Sequence, residues 1–434
     1  MSSNKTVIVL GGYGLIGSVC MRALQADGFN VIGVGRSTRA ARRMSPAITW
    51  RVLDLAKASI EDLRVVMSGA DVVVNAAGAL QDGLRDDCIA IHETLIEHLV
   101  AALERSPARV IQISAAGVST ASSTEFFRSK ARGDALLMGS DLDWVVLRPT
   151  LVLSRDAYGG TALLRASAAM PLVALDVAPQ SPVQTVAVDD VAAAVVAAAR
   201  GTIARGTLAD LTESESQDFA ALVRTTRAWL GLPPWRFKLR IPPGVLGTVA
   251  KIADGLGHLG WRSPLRTTAL TVLSEGIGGD PTAWRKAGGA PCRPLADTFA
   301  AMPATGQDRW FARLYLLLPV IIATLALLWL LSGAIGIIRN AEAVRVLTSR
   351  GWAQDTARVV VIAGALADIA LGIAILVRRF ARTAALGMVA VALAYLIGAS
   401  LFAADLWTDP LGPLAKILPA ITLSLVAAAI LDDR

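Results

Sequence analysis

The chain has 434 residues, enough for two or three domains. Hydrophobic residues make up 54% and mean hydropathy is +0.54, which excludes a soluble enzyme of ordinary composition throughout; the excess lies almost wholly after Leu314. A net charge of +7 and a pI near 9.6 would suit nucleic acid, but no nucleic-acid motif accompanies them, and arginines flanking membrane segments account for the balance better.

Residues 1–5 are polar and a strand broken by glycines follows, so no secretory signal is expected. Thr6 to Leu10 is a run of β-formers, as in a strand buried on both faces. Gly11-Gly12-Tyr13-Gly14-Leu15-Ile16-Gly17 follows at once, and a helical pattern then starts through Val19, Cys20, Ala23 and Leu24. Strand, glycine turn and helix in this order let backbone N–H groups approach a pyrophosphate at a helix N-terminus. Asn30 to Gly35 reads as a second strand. At its end, where NAD-binding folds place an acid for the ribose 2′-hydroxyl, stand Arg36, Ser37, Thr38 and Arg39. A guanidinium pairs with a 2′-phosphate that a carboxylate would repel, so NADP(H) is expected over NAD(H); a solvated basic loop is the alternative. Ile48 to Leu53 is a short third strand closed by Asp54, near the expected adenine.

Asp71 to Gly78 reads as a fourth strand ending in Asn75-Ala76-Ala77-Gly78, small residues that leave room for a cofactor. A helix is expected from about Asp86 to Arg105, with Ile91, Leu95, Ile96, Leu99 and Leu103 on one face. Arg109 to Ser114 is a fifth strand, with Ser114 at the carboxyl edge where parallel sheets bind ligands. A helix over Glu125–Met138 carries Lys130, and Asp143 to Pro149 is a sixth strand.

These elements together resemble the short-chain dehydrogenase/reductase superfamily: the glycine pattern, Asn75-Ala-Ala-Gly, Ser114, Lys130 and Leu147-Arg-Pro-Thr150. The likeness covers about residues 5–300. It is nearest the extended and atypical branches, among them nucleotide-sugar epimerases and the accessory subunit of respiratory complex I. It implies a Rossmann-type doubly wound parallel sheet with a small substrate domain, an NAD(P) cofactor, and Ser114 and Lys130 as the catalytic pair, with Lys130 also on the nicotinamide ribose. The family's chemistry needs a tyrosine one helical turn before the lysine. That position holds Phe126, next to Phe127, and neither ring carries a transferable proton. Tyr158, beside Gly159-Gly160, is a weaker source of a phenol.

Pro182 to Val191 matches a further family element, a strand leading into a helix that Asp189 or Asp190 would cap. Residues 207–232 are expected to form the small substrate domain, with a strand and then an amphipathic helix through Phe219, Leu222, Val223 and Leu230. The chain thus divides into a cofactor domain at 1–232, a remainder and linker at 233–308, and a membrane domain at 309–434. In the linker, Trp235, Trp261 and Trp284 alternate with Arg236, Lys238, Arg240, Lys251, Arg262 and Arg266. That interleaving suits a lipid headgroup surface, or else the solvated outer helices of the substrate domain.

Four apolar segments are long enough to span a bilayer: about Leu314–Ile338, Val359–Val377, Thr383–Ala403 and Leu414–Leu431. Their number and size resemble the DoxX-like four-helix membrane family, so an all-α transmembrane bundle is expected. Asp368 lies mid-span with Gly364 and Gly372 one turn to either side, a face suited to another helix. It reads either as a polar site for a lipid or quinone headgroup, or as a neutral acid tying helices through Tyr395 or Ser332. The three cysteines (Cys20, Cys88, Cys292) and three histidines (His92, His98, His258) are too scattered for a disulfide framework or a metal site. A nucleotide cofactor puts the N-terminal domain and, with four spans, the C-terminus on the cytoplasmic side of the inner membrane. The function expected is an NADP(H)-binding oxidoreductase or epimerase-like enzyme on a lipid-borne substrate. The alternative is a non-catalytic dinucleotide-binding accessory protein that handles quinone or lipid.

Overall fold

The computed structural model describes residues 5–44, 47–80, 82, 87–261, 265–410 and 412–432. The chain divides into two compact units, Met1–Asp254 with Ser263–Ala312, and Gly255–Arg262 with Arg313–Arg434.

The first unit begins with β1 (Thr6–Leu10), α1 (Leu15–Ala26), β2 (Asn30–Gly35), α2 (Thr38–Met44), β3 (Thr49–Val52), α3 (Ile60–Met67) and β4 (Val72–Asn75). It continues through α4 (Leu95–Leu103), β5 (Arg109–Ile113), α5 (Glu125–Met138), β6 (Asp143–Pro149), β7 (Leu151–Leu153) and α6 (Gly159–Ala168). Then come β8 (Val173–Asp176), β9 (Pro182–Val183), β10 (Thr185–Ala187), α7 (Val188–Arg200), β11 (Thr207–Leu211), β12 (Gln217–Asp218) and α8 (Phe219–Trp229). β13 (Phe237–Arg240), α9 (Pro243–His258), α10 (Thr267–Glu275), α11 (Thr282–Lys286) and α12 (Leu295–Ala301) follow; the last turn of α9 belongs to the second unit.

Seven parallel strands form the main sheet in the order β11-β6-β5-β4-β1-β2-β3. Strand residues alternate between faces, so β1 feeds two cores. Val7 and Val9 pack with Cys20 and Leu24 of α1 and Val191 and Val195 of α7. Ile8 and Leu10 pack with Leu63 of α3, Leu99 of α4 and Leu137 of α5. Helices therefore cover both faces, and the doubly wound sheet turns its carboxyl edge, with the β1–α1 turn, toward one ligand crevice.

Three expectations need correction. Residues 207–211 are not part of a separate small domain: β11 pairs in parallel with β6 as the edge of the main sheet. Asp189 and Asp190 do not cap α7, because Ala187 flanks the helix and both acids lie inside its first turn. Asp190 instead accepts from Arg293 N and Nε at 2.8 and 2.7 Å, which fastens the segment before α12. The helix expected from Asp86 opens with a π turn over Ala90–Thr94 before α4, and Asp86 itself lies outside the described residues. Gly133 of α5 lets this turn approach closely: a Cβ there would sit 1.8 Å from the His92 carbonyl oxygen.

Two of the linker's tryptophans are internal to the first unit. Trp284 is buried and donates to the Ala290 carbonyl at 2.7 Å. Trp235 donates to the Met170 carbonyl at 2.9 Å, with the Arg227 guanidinium 4.3 Å from its ring centroid. Arg262 lies outside the described residues.

The second unit takes up α13 (Gly306–Ile338) from Arg313 onward, then α14 (Asn340–Thr348), α15 (Gln354–Ala374), α16 (Arg378–Phe402) and α17 (Ile417–Asp432). Leu318, Leu325 and Trp329 of α13 pack with Ala384, Ala385 and Met388 of α16 and Ala427 and Leu431 of α17. Among the described residues, three helices are long and apolar enough to cross a membrane: α13, α15 and α16. The fourth expected span begins only at Ile417 and has 16 residues, a rise of about 24 Å against a hydrocarbon core of about 30 Å.

Candidate functional site

The β1–α1 turn is closed by its own backbone. Gly14 N donates to the Gly11 carbonyl at 2.9 Å, and Ser18 N to the Gly14 carbonyl at 3.0 Å. Gly11 has φ +73°, and a Cβ there would meet the Ala77 backbone at 2.9 Å. A Cβ on Gly17 would sit 2.4 Å from the Gly11 oxygen. The turn thus tolerates no side chain on its inner side. That bare cradle, with the N–H groups of Leu15, Ile16 and Gly17 in the first turn of α1, fits a dinucleotide pyrophosphate.

The Tyr13 ring leans over the end of β2, where a Cβ on Gly35 would lie 2.2 Å from its Cε1. Its hydroxyl oxygen accepts from Arg36 N at 3.1 Å. Arg36 and Arg39 are exposed here, and Ser37 Oγ accepts from Ala40 N at 3.2 Å to start α2. Asp54 follows β3, half-buried, with Oδ1 3.4 Å from Ala56 N. Asn75 is fully buried and works inward: Oδ1 accepts from Ala77 N at 3.1 Å, while Nδ2 donates to Gln112 Oε1 at 2.9 Å. Its side chain shapes the turn in which Ala76, Ala77 and Gly78 face the crevice.

A cavity of about 210 Å³ opens at the same sheet edge. Ala76, Ala77, Gly78, Ser114, Lys130 and Thr150 line it together with Ile16, Phe126, Pro149 and Val152. Ser114 directly follows β5, and Lys130 projects from α5. Lys130 Nζ donates to the Ile113 carbonyl at 3.3 Å. Burial holds its ammonium below the usual lysine range, while the charge of Asp134 pulls the other way. Phe126 occupies the place one turn before Lys130, with Nζ 5.7 Å from its ring centroid and His92 edge-on at 5.6 Å. Tyr158, 60% exposed at the start of α6, is not among the residues lining this cavity.

A buried polar network behind the cavity went unread in the sequence. Ser114 Oγ donates to Asp134 Oδ2 at 2.7 Å, and Arg148 Nε and a terminal nitrogen donate to the same oxygen at 3.1 and 2.9 Å. Asp134 is 1% exposed. Two signals pointed to it: Asp134 stands one helical turn after Lys130, and Arg148 lies in the Leu147-Arg-Pro-Thr motif. His92 closes the other side. Ala79 N can only donate, so His92 Nε2 accepts at 3.1 Å, and Nδ1 carries the proton toward Ser129 Oγ at 2.9 Å.

Residues 11–202 match the NAD(P)H-binding family, and residues 326–425 match the DoxX-like family. The chain joins an NAD(P)-binding domain to a DoxX-like domain. Bordetella bronchiseptica WbmH, solved with NAD+, is 18% identical with a TM-score of 0.51, over 69% of this chain and 97% of the other. The Thermus thermophilus UDP-glucose 4-epimerase, solved with NAD, is 17% identical with a TM-score of 0.51, over 70% and 99%. The Thermotoga maritima UDP-glucose 4-epimerase, solved with UDP-glucose, is 14% identical with a TM-score of 0.53, over 72% and 99%. At these identities the likeness is one of fold. No curated protein matches the chain. Among the described residues of both domains, no cluster of His, Cys, Asp and Glu could hold a metal.

In the DoxX-like domain, Asp368 of α15 is 4% exposed and joins three helices. Ser332 Oγ of α13 donates to its Oδ2 at 2.7 Å, and Tyr395 Oη of α16 to its Oδ1 at 2.9 Å. The glycines expected around it permit this approach. A Cβ on Gly364 would lie 2.8 Å from Tyr395 Oη, and one on Gly372 2.8 Å from the Leu330 side chain. Gly333 likewise admits the Ala365 carbonyl, 2.5 Å from where its Cβ would be.

Proposed function

We propose that the chain is a membrane-held, NADP(H)-binding oxidoreductase or epimerase-like enzyme acting on a hydrophobic, lipid-borne molecule. The observation that carries this reading is the cavity itself, where Ser114 and Lys130 meet an apolar wall of Ile16, Phe126, Pro149 and Val152 beside Ala76–Gly78. When bound, the nicotinamide supplies or accepts the hydride. Lys130 offers a buried cation to the ribose hydroxyls. Ser114, its hydrogen committed to Asp134, presents lone pairs to a substrate hydroxyl. The apolar wall keeps water out and favours an apolar substrate over a sugar, whose hydroxyls would lose hydrogen bonds there. Arg36, Ser37 and Arg39 follow β2 in place of the acid that would bind a ribose 2′-hydroxyl, and a guanidinium there supports NADP(H) over NAD(H). Nucleotide supply favours a cytoplasmic NAD(P)-binding domain on the inner membrane; the loop arginines divide, with Arg378, Arg379 and Arg382 on that side and Arg339, Arg345, Arg350 and Arg358 on the other.

A second reading rests on Phe126. With no phenol one turn before Lys130, the domain would bind the dinucleotide for stability or sensing and assist lipid or quinone handling without turnover. NADPH fluorescence of the full chain in detergent, with and without added membrane lipid extract, separates the two. Consumption of bound NADPH on adding lipid supports the enzyme; NADPH that stays bound and unoxidised supports the accessory protein. Arg36→Ala is expected to weaken NADPH binding about tenfold, the effect of one charge-assisted hydrogen bond, and NADH binding little. Equal loss for both would remove the NADP(H) preference.

A further inference from the structure

α9 carries small or apolar residues on two faces, and only one of them is covered. Ala250 and Ala253 are buried. Val245, Val249, Ile252 and Leu256 recur at spacings of four, three and four, which places them in a single stripe. All four are exposed, Ile252 by 60%. Thr248, Lys251 and His258 are exposed along one flank of that stripe. Just ahead, β13 exposes Phe237 and Leu239 in alternation with Lys238 and Arg240. An apolar stripe bordered by cations is the pattern of a helix lying in a membrane interface.

The C-terminal end of α9 says what covers it. Leu259, next after the helix and itself exposed, accepts at its carbonyl from Arg378 N at 3.0 Å. Trp261 Nε1 donates to the Leu376 carbonyl at 2.6 Å, and the Arg378 guanidinium lies 5.8 Å from the Trp261 ring centroid. Leu376 and Arg378 belong to the junction of α15 and α16, two helices long enough to cross a bilayer. An indole and a guanidinium meeting at the ends of membrane helices mark the water–lipid boundary. The chain therefore leaves α9 at headgroup level.

We infer that α9 binds the lipid surface, with Val245, Val249, Ile252 and Leu256 in the acyl boundary and Lys238, Arg240 and Lys251 against anionic headgroups. This inference does not depend on the cofactor reading. Circular dichroism and the thermal unfolding midpoint of the same preparations serve as the control for folding.

The test is site-directed spin labelling of the full chain in liposomes of phosphatidylcholine and phosphatidylglycerol. A Cys292→Ser background removes the half-buried thiol; Cys20 and Cys88 are buried, and their thiols are pushed up to about 12. Labels at 245, 249, 252 and 256 are expected to be relaxed by oxygen, and labels at 248 and 251 by water-soluble nickel chelate. Nickel access at all six positions would overturn the inference. So would stripe labels closed to both reagents, because a protein partner or a second copy would then cover the helix. Hydrogen exchange on the unsubstituted chain gives an independent reading. Amides of 244–258 should exchange at least about fivefold more slowly with phosphatidylglycerol than with phosphatidylcholine alone, since Lys251 by itself contributes about a factor of five at an anionic surface. Equal rates in the two lipids would also count against it.

Discussion

Ser114 gives its hydroxyl hydrogen to Asp134, 2.7 Å away, and Arg148 holds that carboxylate oxygen from the other side. The pair fixes which way the serine hydroxyl points and ties α5 to β5 and β6. Asp134→Asn keeps the shape but removes the carboxylate hydrogen-bonded to the Arg148 guanidinium, 19% exposed, and leaves it only the longer-range attraction of Asp210 on β11. A broken buried pair costs about 3–5 kcal/mol. Thermal unfolding of the full chain should therefore show the NAD(P)-binding domain melting well below wild type, while Arg148→Lys, which retains a charge, loses less. An unchanged midpoint in Asp134→Asn would mean that the network contributes nothing.

The glycine turn separates two kinds of damage. Gly17→Ala drives a methyl group to 2.4 Å from the Gly11 oxygen, so the turn must open. NADPH affinity is expected to fall at least tenfold, read by cofactor fluorescence. Gly28→Ala meets nothing within 4 Å but must adopt φ +92°. It should lower stability by about 1–2 kcal/mol through backbone strain and leave affinity intact. Equal affinity in both variants would show that the turn does not hold the cofactor.

His92 gives the NAD(P)-binding domain a pH dependence of definite sign. Burial, and secondarily the Lys130 ammonium, push its imidazole down to about 2 from 6.5. The unfolded chain takes up a proton near 6.5 and the folded chain does not, so the stabilisation is complete above that value. It is lost as pH falls toward 2, by about 1.4 kcal/mol per unit. From pH 6.5 to 5 the loss is about 2 kcal/mol. His92→Gln can still accept from Ala79 N and donate to Ser129, so it should keep the fold and flatten this slope by one proton. The same slope in both proteins would assign the titration elsewhere.

For Asp368 the informative experiment is a double-mutant cycle. Asp368→Ala, Tyr395→Phe and the double variant, unfolded in mixed micelles, should give a coupling of about 0.6–1.7 kcal/mol. A coupling near zero would mean that the 2.9 Å contact between α15 and α16 adds no stability. If lipid-dependent NADPH oxidation is observed, loss of that activity in Asp368→Asn without loss of stability would point to a headgroup site.

How far the sequence could be read follows the range of the interactions. β1, β2, α5 and β6 have the bounds the residue pattern predicted, because burial on alternating or helical positions is a local code. Gly11, Gly14 and Gly17 were legible for the same reason. A turn without side chains is written in consecutive residues. The Asp368 partners could be named because glycines four residues either side leave one face open to a neighbour.

What the pattern could not carry is pairing between distant segments. Residues 207–211 look like the start of a second domain until β6, some sixty residues earlier, takes them as a sheet edge. Asp190 looks like a cap until Arg293 is folded against it. By itself the sequence determined a glycine-turn dinucleotide fold followed by apolar membrane-length helices, since periodicity and composition act along the chain. Tertiary structure alone decided that Ser114 answers to Asp134, that Asn75 faces inward, and that one apolar face of α9 stays uncovered. Each of these depends on which atoms fill the space beside a residue, and neighbours in space are not neighbours in sequence.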